Sequence, residues 1–527
     1  MENTQHTSMG EEFLDFEFGP KINQVLHKSK KRALISDERN EWSGEDVILR
    51  MESLKDWLRQ NIPDRAYVGV VFVNSAQQAL SVITLLSAGY VPVLLNPSDV
   101  ETDPASCITR TKVSLLITLA GQEHPFKEHI PCLTLSNDGF MVHKPSSFLT
   151  KKSSIAEKSV ALVLQTSGST GTPKSILVPK KGLIKTIDFL KEYFTLCEST
   201  IAPIMLSNHH SMALNTQFLP TFLNGGLCHF VNPILQIQRL YRNILTTKGN
   251  FVALTSEMLL ICEEEKKRRR LEQATSVEHV QLAGGLINQR DLKNARSLFP
   301  NAIIHKGYGL TEAIRITMIS NCDERFDSAS VGFPLPFIEV EIRDETSIIN
   351  TPKKHGLIHV KGPNVHANFI SEDGFLDTGD IGYWNDKKQL CVVGRKDGCF
   401  KINGYRVPTK KIEQMAIDSS EYIRNASCFS IDDKRRSMKR LVLMLEIPPD
   451  LEDQFFKNDF KSIQARLFEL FKSLPYFPKE IGTIARFPRT SNGKLAINEL
   501  IKIYQKSNHG TINDTGDVLR FYKVLSA

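Results

Sequence analysis

The segment from Leu164 to Lys174, Leu-Gln-Thr-Ser-Gly-Ser-Thr-Gly-Thr-Pro-Lys, combines hydroxyls, glycines and one closing cation. Small residues let backbone N–H groups approach phosphate oxygens, Ser and Thr hydroxyls add donors, and Lys174 adds a positive charge. A nucleoside triphosphate is the guest such a loop suits. The Walker A pattern G-x-x-x-x-G-K-[ST] does not apply, because it needs Gly immediately before the Lys. Here that position is Pro173, which has no N–H to give. The alternative is a plain Gly/Ser linker, and the apolar run VALVL before the loop and the lysine at its close argue against it.

A phosphate loop needs rigid elements on either side. From Tyr67 to Leu95 the chain reads strand, helix, strand: VGVVFV is apolar, AQQALSVITLLSAG has helical spacing ending in Gly89, and VPVLL is apolar again. The rhythm recurs at VSLLIT, at FVALTS followed by EMLLICEEEKKRRRLEQ, and at HVQLAG followed by AIIHKGYG, which predicts α/β layers. After Val331 the texture changes to short strands between Gly, Pro and Asp turns, the pattern of a small β-rich subdomain over about 331–396. After Arg395 a compact α+β segment begins. The expected organisation is an N-terminal lobe over 1–396 and a smaller, mobile C-terminal lobe over 397–527.

At 527 residues the chain is too long for one ordinary core. Its 41% hydrophobic and 24% charged residues are the balance of a soluble globular protein, and no apolar run approaches a membrane span. The N-terminal stretch is polar and acidic, unlike a signal peptide, so a cytoplasmic location is expected. Nine scattered cysteines without a C-x-x-C pair suggest neither a disulfide framework nor a zinc site. The net charge of +7 falls wholly from Gly398 onward, favouring an acidic partner there. It is too weak an excess for nucleic-acid binding. In the run from Glu263 to Arg270 the acids sit three to four residues before the bases, where they pair along one helix face.

Four further motifs follow the loop in order: Gly307-Tyr-Gly-Leu-Thr-Glu-Ala313, Leu376-Asp-Thr-Gly-Asp-Ile-Gly382, Gly394-Arg-Lys-Asp-Gly-Cys-Phe-Lys-Ile-Asn-Gly-Tyr-Arg406 and Pro488-Arg-Thr-Ser-Asn-Gly-Lys494. Together with the loop they resemble the adenylate-forming (AMP-binding) superfamily, which holds acyl-CoA synthetases, luciferases and peptide-synthetase adenylation domains. The resemblance implies an ATP-dependent, AMP-forming acid–thiol ligase. Thr166, Ser167, Gly168, Ser169, Thr170, Gly171 and Lys174 would then hold the triphosphate. Gly307, Tyr308 and Gly309 would meet adenine, with Tyr308 stacking on the ring. Thr311 would donate to the α-phosphate and Glu312 would ligate Mg²⁺, a hard cation that bridges phosphates. Asp380 resembles the ribose-binding carboxylate and Arg395 a second sugar contact. Lys494 matches the lysine that reaches carboxylate and α-phosphate as negative charge gathers between them. Asp397 lies at the family's hinge, with Lys401 and Gly404 facing the incoming thiol arm after lobe rotation.

Amino-acid-activating relatives carry an Asp in the stretch matching Met205 to Leu214, where this chain has no acid, so an α-amino acid is disfavoured. His210-Ser211 instead resembles the pair of acyl- and aryl-CoA synthetases, with His210 lining the acyl pocket. Core packing is the competing role for His210. Ala283 and Gly284, Gly285 and Leu286 would form another wall. The residues after Lys494 show no phosphopantetheine attachment site, so the acceptor is expected in trans: CoA, or a separate phosphopantetheinyl carrier protein. A catalytically silent nucleotide-binding protein is the alternative of another class.

Overall fold

The computed structural model describes residues 17–71, 74–95, 97, 100, 104–120, 130–136, 139–143, 155–166, 174–232, 239–284, 287, 289–344, 347–396, 399–402, 405–433, 438–463, 465, 478, 480–489, 495–506 and 520–523. Among these, strands form six sheets and the fold is mixed α/β, as the alternation of apolar runs and helical spacing led us to expect.

The largest sheet has seven strands in the order Gly139–His143, Cys132–Ser136, Leu115–Leu119, Tyr67–Val70, Val91–Leu94, Val160–Thr166, Lys174–Pro179. Its inner five strands are parallel and its two edges antiparallel. Parallel strands are covered on both faces, and this explains why Tyr67–Val70 and Val91–Leu94 are buried at every position. The crossover helix Ala76–Ser87, capped by Ser75 accepting from Gln78 N, is buried on nearly all sides. Its polar residues fold back on their own turn: Ser81 Oγ donates to Gln77 O at 2.8 Å and Thr84 Oγ1 to Leu80 O at 2.6 Å.

A second parallel arrangement, Phe251–Leu254, His279–Leu282 and Ile303–Tyr308, continues antiparallel into Thr317–Ser320 and Phe333–Pro334. A third sheet was not legible in the sequence. It joins Ile201–Ile204, Leu227–Phe230, Ala33–Ser36 and Glu41–Ser43, bringing the N-terminal hairpin beside strands nearly two hundred residues away. The helix that follows, Gly44–Asn61, opens on a capping box between Ser43 and Asp46. It buries Val47, Met51, Leu54 and Leu58 along one face.

From Glu339 to Arg395 four antiparallel strands form their own sheet: Glu339–Arg343, Gly356–Lys361, Leu376–Trp384 and Leu390–Arg395. This sheet docks where helix Lys180–Tyr193 offers Gly182. A Cβ there would lie 2.2 Å from Asn364 Cα and 2.4 Å from Pro363 O. Asn364, fully buried, sends its Nδ2 to Ile314 O at 2.5 Å and to Arg315 O at 3.2 Å. The docking residue thus also holds the loop that follows Tyr308.

Beyond the hairpin Cys399–Ile402/Tyr405–Pro408, helix Thr409–Asp418 packs on strand Asn425–Asp433, whose sheet continues through Met438–Glu446, Glu480–Ile484 and Arg520–Lys523. They enclose a separate core around Ile412, Leu443, Phe455 and Ile481. Among the described residues, polar contacts from this part to the rest include Arg290 Nη1 donating to Ile423 O at 2.9 Å and Arg424 pairing with Glu264 at 3.2 Å.

The charged run 263–270 lies on helix Ser256–Arg269, which stops at Arg270 in a left-handed conformation. Lys267 pairs with Glu263 at 2.9 Å along the helix, as the spacing predicts. Glu265, however, is almost wholly buried and accepts from Tyr241 N at 3.0 Å, and Glu264 reaches Arg424. The run is therefore a junction between elements, in addition to a solvated face. No described helix is long and apolar enough to cross a membrane.

Gly182→Ala should lower the unfolding free energy by about 2 kcal/mol, because backbone on the facing segment cannot yield to the new methyl. Urea unfolding of the variant checks this; an unchanged midpoint would show that the docking is looser than the contacts imply.

Candidate active site

Two paired edge strands flank the phosphate-loop sequence. Strands Val160–Thr166 and Lys174–Pro179 pair up to Thr166↔Lys174, with Gln165 Nε2 donating to Ser175 Oγ at 3.0 Å one step earlier. Lys174 is exposed at the mouth. Ser167, Gly168, Ser169, Thr170 and Gly171 lie outside the described residues.

Tyr308, Asp380 and Arg395 come together directly. Tyr308 ends the third strand of the five-stranded sheet, and its hydroxyl donates to Asp380 Oδ2 at 2.5 Å. Asp380 and Arg395 face each other in register on the antiparallel sheet, with Arg395 Nη1 3.4 Å from Asp380 Oδ1. Arg395 Nη1 also donates to Thr378 O at 3.0 Å, while Thr378 Oγ1 accepts from Asp380 N at 3.1 Å. Gly379 between them has φ +70°, and a Cβ would come within 3.0 Å of the Arg395 guanidinium, so the turn needs glycine. Burial, then the Asp380 charge, raises the Tyr308 hydroxyl well above the ordinary tyrosine range. It is a fixed donor. The motif alone gives Tyr308 an aromatic face; the structure adds this hydroxyl anchor to the carboxylate.

Thr311 and Glu312 sit half-buried on the turn that links Ile303–Tyr308 to Thr317–Ser320. Leu310 N donates to Ala313 O at 3.0 Å and Ile316 N to Tyr308 O at 2.7 Å, closing the turn. Gly309 allows it to close, since a Cβ would lie 2.7 Å from Arg315 N. Glu312 takes no ion pair among the described residues, and no cluster of three metal-ligating side chains occurs among them. A single available carboxylate suits Mg²⁺, which is commonly held by one or two carboxylates with substrate phosphates and water completing its shell.

The His209-His210 segment is clamped to the central crossover. Asn74 Nδ2 donates to Ile204 O at 3.1 Å and Leu206 O at 2.7 Å, while its Oδ1 accepts from Asn208 N at 2.9 Å. Asn208 Nδ2 in turn reaches Gln78 Oε1 at 3.0 Å. His209 is buried, 2.7 Å from Ser207 Oγ through Nδ1, and burial, then the neighbouring His210, pushes it down to about 3. His210 is half-buried at the start of the turn Ser211–Ala213. Of the doublet, then, the sequence singled out the more accessible ring and passed over the buried one. Gly284 has φ +91°, with a Cβ 3.1 Å from Thr255 Cγ2; Gly285 and Leu286 lie outside the described residues.

Lys494 also lies outside them, as do Asp397 and Gly404, and Lys401 is described only as a strand residue opposite Arg406. The stem of the Lys494 segment is described. Arg489 and Leu495 form an antiparallel bridge. Glu446, 3% exposed, accepts from Phe487 N at 3.1 Å and pairs with Arg489 at 3.2 Å. Neither Glu446 nor Asn74 carries a local sequence signal, because each acts on backbone far along the chain.

The family model described as AMP-binding enzyme matches residues 23–368. The chain is 24% identical over 471 residues to 4-coumarate–CoA ligase 4 of Arabidopsis thaliana, covering 82% of this chain and 81% of that protein. It is 24% identical over 368 residues to the D-alanine–D-alanyl carrier protein ligase of Bacillus velezensis, covering 66% and 71%. A plipastatin synthase chain of Bacillus subtilis is matched over 70% of this protein, at 24% identity, but the match spans only 15% of the synthase's length. Among solved structures, the anthranilate CoA ligase AuaEII in complex with anthranoyl-AMP superposes with a TM-score of 0.77 at 16% identity, over 93% of this chain and 98% of that one. ATP-bound MatB from Rhodopseudomonas palustris gives 0.75 at 17% identity, over 93% and 99%.

Tyr308→Phe removes the donor that fixes Asp380. The expected outcome is a loss of about 2 kcal/mol in unfolding free energy, as for a hydrogen bond to a charged group, with the fold retained by circular dichroism. Chemical denaturation at neutral pH measures it.

Proposed function

Because the chain belongs to the family of AMP-binding, adenylate-forming enzymes, we propose that it activates a carboxylic acid with ATP and then transfers the acyl group to CoA. The observation that carries this reading is the Tyr308–Asp380–Arg395 cluster with Thr311 and Glu312 on the turn that follows. Adenine would lie against Tyr308, while Asp380, oriented by Tyr308 and Arg395, would accept from the ribose hydroxyls. Three residues past Tyr308, Thr311 would donate to the α-phosphate. The segment 167–171 and Lys174 would hold the β- and γ-phosphates. Mg²⁺ held by Glu312 and phosphate oxygens would neutralise charge on the departing pyrophosphate.

In the first half-reaction a carboxylate oxygen attacks the α-phosphorus, the α–β phosphoanhydride bond breaks and pyrophosphate leaves. Lys494 would sit between the two approaching anions, where a fixed cation lowers the barrier most. In the second, the thiol sulfur attacks the acyl carbon, loses its proton to solvent and expels AMP. Lobe rotation about Asp397 would bring Lys401 and Gly404 to the thiol arm. The described contacts between the lobes suit such a motion, since Arg424–Glu264 is a half-exposed pair and exposed pairs contribute only about 0–1 kcal/mol.

Relatives act on both kinds of acceptor by name, CoA and a carrier protein. The half-buried His210 and the absence of an acid from Met205 to Leu214 support an acyl- or aryl-CoA synthetase.

Pyrophosphate release across a panel of carboxylic acids, followed by mass spectrometry of the CoA pool, tests the reading. An acyl-CoA is expected; acid-dependent pyrophosphate release with an acylated carrier protein and no acyl-CoA would move the acceptor to the carrier. Lys494→Ala should cut pyrophosphate exchange by about 100-fold or more while ATP still binds. Near-normal exchange in that variant removes Lys494 from the mechanism.

A further inference from the structure

Arg315 is 4% exposed, and no carboxylate among the described residues pairs with it. Its Nη2 donates to Thr216 Oγ1 at a long 3.3 Å, and its Nε finds no acceptor. It also holds φ +46°, a left-handed conformation that a residue with a side chain rarely adopts. A buried cation without a counter-charge and a strained backbone at one residue are both unfavourable, and such features cluster at functional sites. The one titratable group that bears on it is neutral: the Tyr193 hydroxyl, raised by burial to about 12. Burial pushes the guanidinium itself down to about 10.

Three segments already assigned to the site converge here. Thr216 lies on the π-helical turn Leu214–Phe218, six residues after His210. Gln281, two residues before Ala283, donates to the same Thr216 hydroxyl at 2.9 Å and leaves its Oε1 without a partner. Gly307, next to Tyr308, lies under the guanidinium: a Cβ there would be 2.2 Å from Arg315 Nη1. Only glycine admits the cation to this place.

We propose that Arg315 is the counter-ion for a second carboxylate on the acid substrate, so that the enzyme activates dicarboxylic acids. This rests on the ligase reading above. One carboxylate of the substrate goes to the α-phosphate, and the other meets the Nη1 and Nη2 end of Arg315 between Gly307 and Thr216. The same cation repels an α-ammonium group.

The test is ATP–pyrophosphate exchange with matched series: straight-chain monoacids, the α,ω-diacids of equal length, benzoate and its carboxy derivatives. Wild-type protein should favour a diacid over its monoacid partner by about 100-fold or more in kcat/KM, chiefly through KM. Arg315→Met should abolish that preference, Arg315→Lys should restore part of it, and the diacid should raise the Tm of wild type but not of Arg315→Met. Without ligand, Arg315→Met should melt at or above the wild-type temperature, since it removes an unpaired buried charge. Equal use of both series by wild type, or a lowered Tm with both series lost in Arg315→Met and Arg315→Lys alike, overturns the assignment and makes Arg315 a structural residue. Exchange with no acid in any series overturns the ligase reading itself, and this one with it.

Discussion

The carboxylate of Asp380 is the point at which otherwise separate sheets become one site. It belongs to the antiparallel sheet, yet one of its oxygens is held by Tyr308 from the five-stranded sheet and the other faces Arg395 from its own. A nearly buried carboxylate requires partners, and a hydroxyl raised far above its ordinary titration range cannot compete as an anion. That requirement fixes how the sheets meet. The turn carrying Thr311 and Glu312 begins at Tyr308, so its position follows from the same contact.

Buried amides repeat this logic elsewhere. Asn364 joins the docking face of the antiparallel sheet to the carbonyls of Ile314 and Arg315, and Asn74 with Asn208 ties the histidine segment to the central crossover. Glu446 does the same for the stem before Lys494. In each case a short polar side chain satisfies backbone groups of an irregular segment that has no ladder of its own. Loops that must be exact in position are thus held from beneath by side chains remote in sequence. The exposed ion pair Arg424–Glu264 is by contrast a weak attachment of the C-terminal part to helix Ser256–Arg269.

Arg315 stands outside this economy. Buried carboxylates such as Glu446 and Glu413 each meet an opposite charge and a backbone N–H. At Arg315 the interior offers a shared threonine hydroxyl, a glycine surface and the neutral Tyr193 hydroxyl. An interior that meets charge so carefully in those places leaves this one for a group that arrives with the substrate.

Candidates for the chemistry were legible in order along the chain. The loop from Leu164 to Lys174, the Tyr308 to Glu312 turn, Asp380, Arg395 and Lys494 could be named from residue types and motif sequence, and the α/β layering from apolar periodicity. These are local signals, carried by neighbours in the chain. The pairing of Ala33–Ser36 with Leu227–Phe230, the Tyr308 hydroxyl on Asp380, and the clamps at Asn74, Asn208 and Asn364 were not legible, because each joins segments that only sheet register and helix docking bring together. Arg315 shows the division most clearly. In sequence it is an unremarked cation after a known motif; its burial, strain and lack of a counter-charge exist only once Gly307, Thr216 and Gln281 surround it, since desolvation is a property of the folded interior and not of the residue. By itself the sequence determined that this protein handles a nucleotide and a carboxylate. The tertiary structure decided which side chains hold the reacting loops in place and where an uncompensated charge waits in the interior.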